Sequence, residues 1–248
     1  LYLKNLHTNI LGHNFIYKPK TNSTNEDAWK YSTNKNSDGS IILTDNQTRG
    51  KGRRTNKWIS SINSSLTFSF ILYPQIKIDH LGLLPLLAGV SIVRGVFSST
   101  GIATGLKWPN DIMLNEKKMG GILIESKKDK KDIIIIVGIG LNINETISDF
   151  PETIKKESIS LNVFTKQIHS REKILSSILN EFEILYDNNF DSIIPMWKQY
   201  CIHMNNEISF NSDNSQLKGI FAGISNHGHA KINLNGRVQT FPSGVVTL

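Results

Sequence analysis

One cysteine, Cys201, is all the chain has in 248 residues. An intrachain disulfide is excluded, and a cytoplasmic, reducing setting is the expected one. The seven histidines do not combine with cysteines or carboxylates at metal-ligand spacing. His227-Gly228-His229 comes nearest, but next to Asn226 it reads as a hairpin turn rather than a zinc site, so no protein-bound metal is expected. Apolar runs such as Ile133–Gly140 fall far short of the roughly 20 residues of a membrane span, and no membrane association is expected. The N-terminus shows no signal-peptide succession, and it begins at Leu1 rather than Met. Also absent are a Ser-His-Asp or Cys-His nucleophile pattern, a Walker-type loop, an internal repeat and a long linker. Any chemistry is therefore expected to work through position and electrostatics rather than a covalent nucleophile.

Positive charge is present in excess. Lys and Arg number 28 against 21 acidic residues, a net charge of +7 with pI near 9.4. That balance suits a polyanionic partner such as a nucleotide, a nucleic acid or an acidic protein. Residues 47–58, Gln-Thr-Arg-Gly-Lys-Gly-Arg-Arg-Thr-Asn-Lys-Trp, concentrate it. Gly50 and Gly52 let backbone N–H groups converge on an anion. Arg49, Lys51, Arg53, Arg54 and Lys57 surround them with no acid between. Such a loop is expected to be unordered by itself and to close on a polyanion. Taken alone, it reads equally as a solvated basic loop or a nucleic-acid patch.

Hydrophobic patterning predicts an α+β protein, a mixed sheet covered by helices. Ser23 caps a short helix through Trp29, with Glu26 reaching back in a capping box. Ile41–Thr44 is a strand, and Leu66, Phe68, Phe70 and Leu72 alternate with Thr67, Ser69 and Tyr73 as a half-buried one. Leu83–Phe97 is a buried helix with Pro85 in its first turn. Ile112–Leu114 turns through residues 115–117 into Met119–Glu125. Beyond the charged turn Lys127–Asp132, Ile133–Val137 has the unbroken β-branched run of a central, doubly covered strand. Residues 171–187 form an amphipathic helix, and Ile193–Tyr200 a second short one. From Glu207 to Leu248 short β stretches and glycine turns suffice for a five-stranded SH3-like barrel. A boundary near Asn205 divides a catalytic domain, 1–205, from this small domain, 206–248.

Four more groups carry polar chemistry. Lys107-Trp108-Pro109-Asn110-Asp111 is a turn before a strand or the rim of a pocket. Lys118-Met119-Gly120-Gly121 has paired glycines that mark a bulge or the approach of a ligand or backbone. Gly138-Ile139-Gly140-Leu141-Asn142 ends the central strand, where ligand crevices form, but lacks the third glycine of a dinucleotide fingerprint. Ser23-Thr24-Asn25 is a plain helix cap or a cradle for a small polar head.

Together these segments, in order and spacing, resemble the biotin–protein ligase family over most of residues 20–165. The motifs are Ser23-Thr24-Asn25, Gln47, Gly50-Lys51-Gly52-Arg53-Arg54 with Lys57-Trp58, Lys107–Asp111, Lys118 with Gly120-Gly121-Ile122-Leu123, and Gly138–Asn142. The resemblance implies a catalytic domain of the biotin/lipoate ligase type and a two-step reaction. Biotin and ATP, with Mg²⁺ carried on the ATP, give biotinyl-5′-AMP, and a lysine of a biotin carboxyl carrier protein then takes the biotin. It implies Ser23, Thr24, Asn25, Gln47, Gly50, Lys51, Gly52, Arg53, Lys118 and Gly121 for biotin. For the nucleotide it implies Arg53, Arg54, Trp58, Asn110, Lys118, Gly140, Leu141 and Asn142. Lys118, Asp111 and Arg53 are the catalytic assignments, Lys118 on the biotin carboxylate and Asp111 near the incoming lysine. Thr146–Ser158 matches an adenylate-covering loop by position.

The chain departs from the family pattern in Lys51, where arginine is usual, and Thr55, where glycine is. Lysine keeps the charge of Lys51 but loses the bidentate fork. Only about twenty residues precede Ser23, too few for the winged-helix domain of many members. DNA binding is therefore not expected, and the protein is expected to be a monomer or weak homodimer. A lipoate or octanoate ligase of the same fold would lack both the double-arginine loop with Trp58 and the Trp-Pro-Asn-Asp run. A basic nucleic-acid-binding protein would interleave cations and aromatics along its barrel. After Lys218 the barrel segment Gly219–Leu248 holds only Lys231 and Arg237, with Phe221 and Phe241 as its aromatics.

Overall fold

The computed structural model describes residues 4–248 apart from positions 34, 75, 77, 130–131, 188–189 and 213–214. Of the predicted charged turn, Lys127–Asp129 and Asp132 are instead paired strand residues, and Lys130 and Lys131 lie outside the described residues. In chain order, β1 (Phe15–Lys18), α1 (Thr24–Tyr31) and β2 (Ile41–Thr44) precede a short hairpin of β3 (Gly50–Lys51) and β4 (Lys57–Trp58). β5 (Leu66–Leu72) and α2 (Leu84–Thr100) lead to β6 (Gly105–Lys107), β7 (Asp111–Leu114), β8 (Lys117–Asp129) and β9 (Asp132–Leu141). α3 (Leu161–Thr165), α4 (Arg171–Asp187) and α5 (Ile193–Tyr200) come next. The chain ends in β10 (Glu207–Ser212), β11 (Ser215–Ile224), β12 (Ala230–Leu234), β13 (Arg237–Phe241) and β14 (Val245–Thr247).

Seven strands form one sheet in the order β1-β2-β5-β9-β8-β7-β6. It is mixed, because β1 and β2 run parallel while the other pairs are antiparallel. The β-branched run of β9 takes the middle place, and Ile134–Leu141 is buried throughout. A strand with no solvent face has no need of polar alternation. α2 covers the opposite face from α1 and packs against α4 and α5. Pro85 lies in its first turn, and Gly101 ends it in the left-handed region, its N–H donating to the Phe97 carbonyl. The segment His80–Thr100 is long and apolar enough to cross a membrane, but 67% of its most apolar window is buried inside the protein, where it is the core helix.

β5 departs from the half-buried reading: all seven residues are buried. Leu66, Phe68, Phe70 and Leu72 face the helical core, as the alternation predicts. The opposite face is covered too. Ile71 and Tyr73 pack with Ala28 and Trp29 of α1, and Thr67 and Ser69 lie under α1 and the basic hairpin. Their polarity marks the floor of a site, not exposure to solvent.

The last five strands form an antiparallel sheet in the order β13-β12-β11-β10-β14, a small barrel-like unit. About forty residues bury too little to be stable alone. Its apolar face accordingly continues the main core. Phe210 lies 6.0 Å from Trp108, and Phe221 lies 6.4 Å from Trp197 and 4.2 Å from His203, ring centre to ring centre.

Glu145, just past β9, is 1% exposed. Burial pushes its carboxyl up to about 6, against a hydrogen bond from Ser65. The folded protein therefore holds this proton more tightly than the unfolded chain does. That stability is complete below the unfolded value of 4.5 and is lost as pH rises through about 6. Thermal unfolding between pH 4 and 7.5 should show a loss of about 1–2 kcal/mol that Glu145→Gln flattens. An unchanged profile in that variant would assign the dependence to other groups.

Candidate active site

The site lies on the face of the sheet opposite α2 and is built from small residues. Gly138 and Gly140 of β9 pair with Ser69 and Thr67 on one side and with Leu123 and Gly121 on the other. Each glycine leaves room for one side chain from above. A Cβ at Gly138 would lie 2.1 Å from Asn25 Oδ1, and one at Gly140 would lie 2.4 Å from the Trp58 indole. The two glycines thus seat α1 and the basic hairpin on the sheet. A cavity of about 140 Å³ remains between them.

One end of the cavity is a hydrogen-bonding cradle. Ser23 caps α1, its hydroxyl accepting from the Glu26 N–H at 3.5 Å. The Thr24 N–H and hydroxyl donate to Gln47 Oε1 at 2.8 and 3.2 Å. Ser69 Oγ is 2.7 Å from Thr24 Oγ1 and 2.6 Å from Asn25 Oδ1. Asn25 Nδ2 donates to Glu125 at 2.8 Å, which fixes the orientation of its amide. Ser23, Thr24, Asn25 and Gln47 are all buried. Ser69 and Glu125 escape sequence reading because both look like the solvent side of a strand. Only the α1 overlay turns them inward.

The capping box is incomplete among the described hydrogen bonds. Glu26 turns outward instead and pairs with Lys51 at 2.7 Å. That contact bears on the basic loop, which carries no acid of its own. Rather than being without structure, the loop is a hairpin in which Gly50 pairs with Trp58 and Lys51 with Lys57. Its turn is closed by Gly52 N–H to the Asn56 carbonyl at 2.8 Å and Asn56 N–H to the Arg53 carbonyl at 3.1 Å. An acid from α1 and an indole seated on Gly140 supply the order that the loop's own sequence lacks. Two residue pairs still hold it weakly. Trypsin should cut at Arg53 or Arg54 readily, and markedly more slowly once polyanionic ligands neutralise the turn. Equal cleavage with and without these ligands would remove the loop as a clamp.

The other end is cationic. Lys118 Nζ lies 2.5 Å from Asp111 Oδ1, and Lys107 Nζ lies 3.6 Å from Asp111 Oδ2. One carboxylate thus holds two ammonium groups. The backbone of Lys118 is clasped as well: its N–H donates to the Glu157 carbonyl at 2.8 Å, and its carbonyl accepts from Ile159 at 3.0 Å. The end of the 146–158 segment is therefore hydrogen-bonded directly to this lysine. Arg53 and Arg54 line the same cavity, and Arg53 Nη1 donates to the Gly244 carbonyl at 3.4 Å. Val245 and Val246 bring the C-terminal sheet to the wall.

Most of the predicted residues meet at this one cavity. Ser23, Thr24, Asn25, Gln47, Lys51, Gly52, Arg53, Arg54 and Trp58 line it, as do Asn110, Asp111, Lys118, Gly121 and Gly140. Gly50, Leu141 and Asn142 do not. Gly50 is buried between Gln47 and Trp58. Leu141 belongs to the apolar core. The Asn142 amide donates to the Ile159 carbonyl at 3.2 Å, and its N–H donates to the Met119 carbonyl at 2.8 Å. The paired glycines answer to both readings. The register shifts at Met113, a Cβ on Gly120 would meet β9, and Gly121 opens on the cavity. Trp108 is 2% exposed and still touches the lining. Among the described residues, no group of three or more His, Cys, Asp or Glu comes together to hold a metal ion.

A hydrogen-bonding cradle and a cluster of cations sharing one cavity define a candidate enzyme site. Residues 15–142 match the profile of the Biotin/lipoate A/B protein ligase family, and the chain belongs to that family. The bifunctional ligase/repressor BirA of Bacillus spizizenii is 32% identical over 228 residues, covering 90% of this chain and 70% of that one. The biotin–[acetyl-CoA-carboxylase] ligase of Mycobacterium tuberculosis is 25% identical over 236 residues, 92% of this chain and 86% of its own. Among solved structures, the biotin protein ligase of Aquifex aeolicus in complex with biotin and ATP superposes with a TM-score of 0.80. It is 28% identical, and the match covers 95% of this chain and 98% of that one.

Proposed function

We infer that this chain is a biotin–protein ligase, joining biotin to ATP as biotinyl-5′-AMP and passing the biotin to a lysine of a biotin-accepting carrier protein. The observation that carries this reading is one cavity holding the Thr24–Gln47 cradle, the Arg53–Arg54 turn and Lys118 together. The likeness to the Aquifex aeolicus enzyme in complex with biotin and ATP supports the same ligands.

On this reading the ureido head of biotin exchanges hydrogen bonds with Thr24, Asn25 and Gln47, and its carboxylate points to Lys118. A carboxylate oxygen attacks the α-phosphorus of ATP and pyrophosphate leaves, with Mg²⁺ entering on the ATP. The reactants repel one another, so cations must offset the approach and the charge gathered on phosphorus. Lys118, Arg53 and Arg54 supply that charge. The nucleotide extends past Trp58, Asn110 and Gly140 toward the Lys118–Ile159 clasp. A carrier amine then attacks the biotinyl carbon and AMP leaves, with Asp111 placed to take the proton. Residues 1–205 carry this chemistry, and 206–248 close one wall.

Incubating the protein with biotin and ATP and reading the products by mass spectrometry tests the reading. Biotinyl-AMP is the expected product. Lipoyl- or octanoyl-AMP formed in preference, with no biotinyl-AMP, would assign the chain to the other branch of the family.

A further inference from the structure

A second cavity, of about 260 Å³, opens beside the first. Its inner wall is shared, since Arg53, Trp108, Asn110 and Leu123 line both. Its outer wall comes from elsewhere: Pro85 at the start of α2, Ile124 of β8, and His227, His229 and Pro242 of the C-terminal sheet. None of these outer residues has a place in the adenylation site.

The outer wall is firmly set. The turn carrying the two histidines is closed by the Ser225 N–H to the His229 carbonyl at 2.8 Å and the Gly228 N–H to the Ser225 carbonyl at 2.9 Å. Trp108 Nε1 donates to the Gly228 carbonyl at 3.0 Å, which ties the turn to the active-site segment. A Cβ on Gly228 would lie 2.6 Å from the Gly82 carbonyl oxygen, and one on Gly82 would lie 2.5 Å from the His227 carbonyl oxygen. Two glycines thus press the backbone of the turn against the catalytic part, which places His227 and His229 along the groove.

We propose that this groove is the channel by which the acceptor lysine of the carrier reaches the adenylate, with His227 and His229 as the wall that meets the residues flanking that lysine. The proposal rests on the biotin-ligase reading and extends it to the second substrate. The reacting carbon lies at the Lys118–Asp111 end, and the acceptor must approach it from outside. The sheet forms the floor there and the basic hairpin covers another side. The groove reaches the same end through Asn110, the neighbour of Asp111. Its volume is below the roughly 300–1,000 Å³ of pockets that enclose drug-sized ligands. It admits one extended side chain and some backbone, not a folded element. Pro85, Ile124 and Pro242 suit a lysine's methylene stem and apolar neighbours. In the transfer, the amine nitrogen bonds to the biotinyl carbon, the carbon–oxygen bond to phosphate breaks, and AMP leaves with that electron pair. The proton of the attacking nitrogen passes to Asp111 or to water.

The test uses His227→Ala with His229→Ala, and separately Pro242→Trp, which narrows the mouth. Three rates are read: biotinyl-AMP synthesis, its interception by hydroxylamine, and transfer to a recombinant apo biotin carboxyl carrier domain. Hydroxylamine is small enough to bypass the groove. Synthesis and interception are expected at wild-type rates, which also shows that the variants fold. Transfer should fall about tenfold or more, through KM for the carrier in the histidine variant, the scale of losing one or two interface contacts. Unchanged carrier kinetics in both variants would overturn the channel while leaving the ligase reading intact. Absence of biotinyl-AMP from the wild-type protein would instead overturn the reading beneath it.

Discussion

Lys118→Ala should slow biotinyl-AMP formation by about 10²-fold or more, the usual scale for removing one preorganised donor from a developing charge. The geometry sharpens this expectation. The side chain is bonded to Asp111 at 2.5 Å, and the backbone is clasped by Glu157 and Ile159. The ammonium is therefore set in place before ligand arrives and costs little to reorganise. Lys118→Arg should restore only part of the rate, because a planar fork spreads its charge and points its donors differently. Single-turnover adenylation with saturating biotin and ATP measures both variants. A wild-type rate in the alanine variant would remove Lys118 from the first half-reaction.

Asp111→Asn should divide the two half-reactions. The carboxylate pairs with Lys118 and with Lys107, so the variant leaves two cations without their shared counter-charge while keeping the shape. Adenylation should change by less than about tenfold, since extra positive charge also favours the triphosphate. Transfer should slow by about 10²-fold, the low end for losing a group that takes up a proton. It should recover as pH rises toward the ordinary lysine value of about 10. Supplying prepared biotinyl-AMP isolates the second step. If transfer from it runs at the wild-type rate while adenylation fails, the work of Asp111 is to hold Lys118, and another group serves the acceptor.

The secondary structure was legible where one period dominated. The run Ile133–Val137, the stripe of 171–187 and the apolar stretch after Pro85 each became the expected element, because burial of one face or both sets the pattern directly. The motif residues were legible for a different reason. Gly-Lys-Gly-Arg-Arg, Lys-Trp-Pro-Asn-Asp and Lys118 with its glycines are chemically unusual at short range, so they stand out before any fold is known. Residues whose role comes from a partner far along the chain stayed hidden. Ser69 and Glu125 had the look of exposed strand positions until α1 was laid over them. Glu26 looked like half of a capping box and instead pairs with Lys51. The hydrogen bond from the Asn142 amide to the Ile159 carbonyl likewise joins segments that no short window contains.

By itself, then, the sequence determined the α+β class, the long strands and helices, the family and most of the residues around the cavity. Those follow from local period and local chemistry, which a chain carries whatever its path. Tertiary structure alone decided which polar residues turn inward, what orders the basic hairpin, and that the C-terminal sheet supplies part of the wall. Each of these depends on contacts between segments separated by tens to more than a hundred residues, such as Trp108 with Gly228 and Arg53 with Gly244. No window along the chain contains both partners, and only the packing of the sheet brings them together.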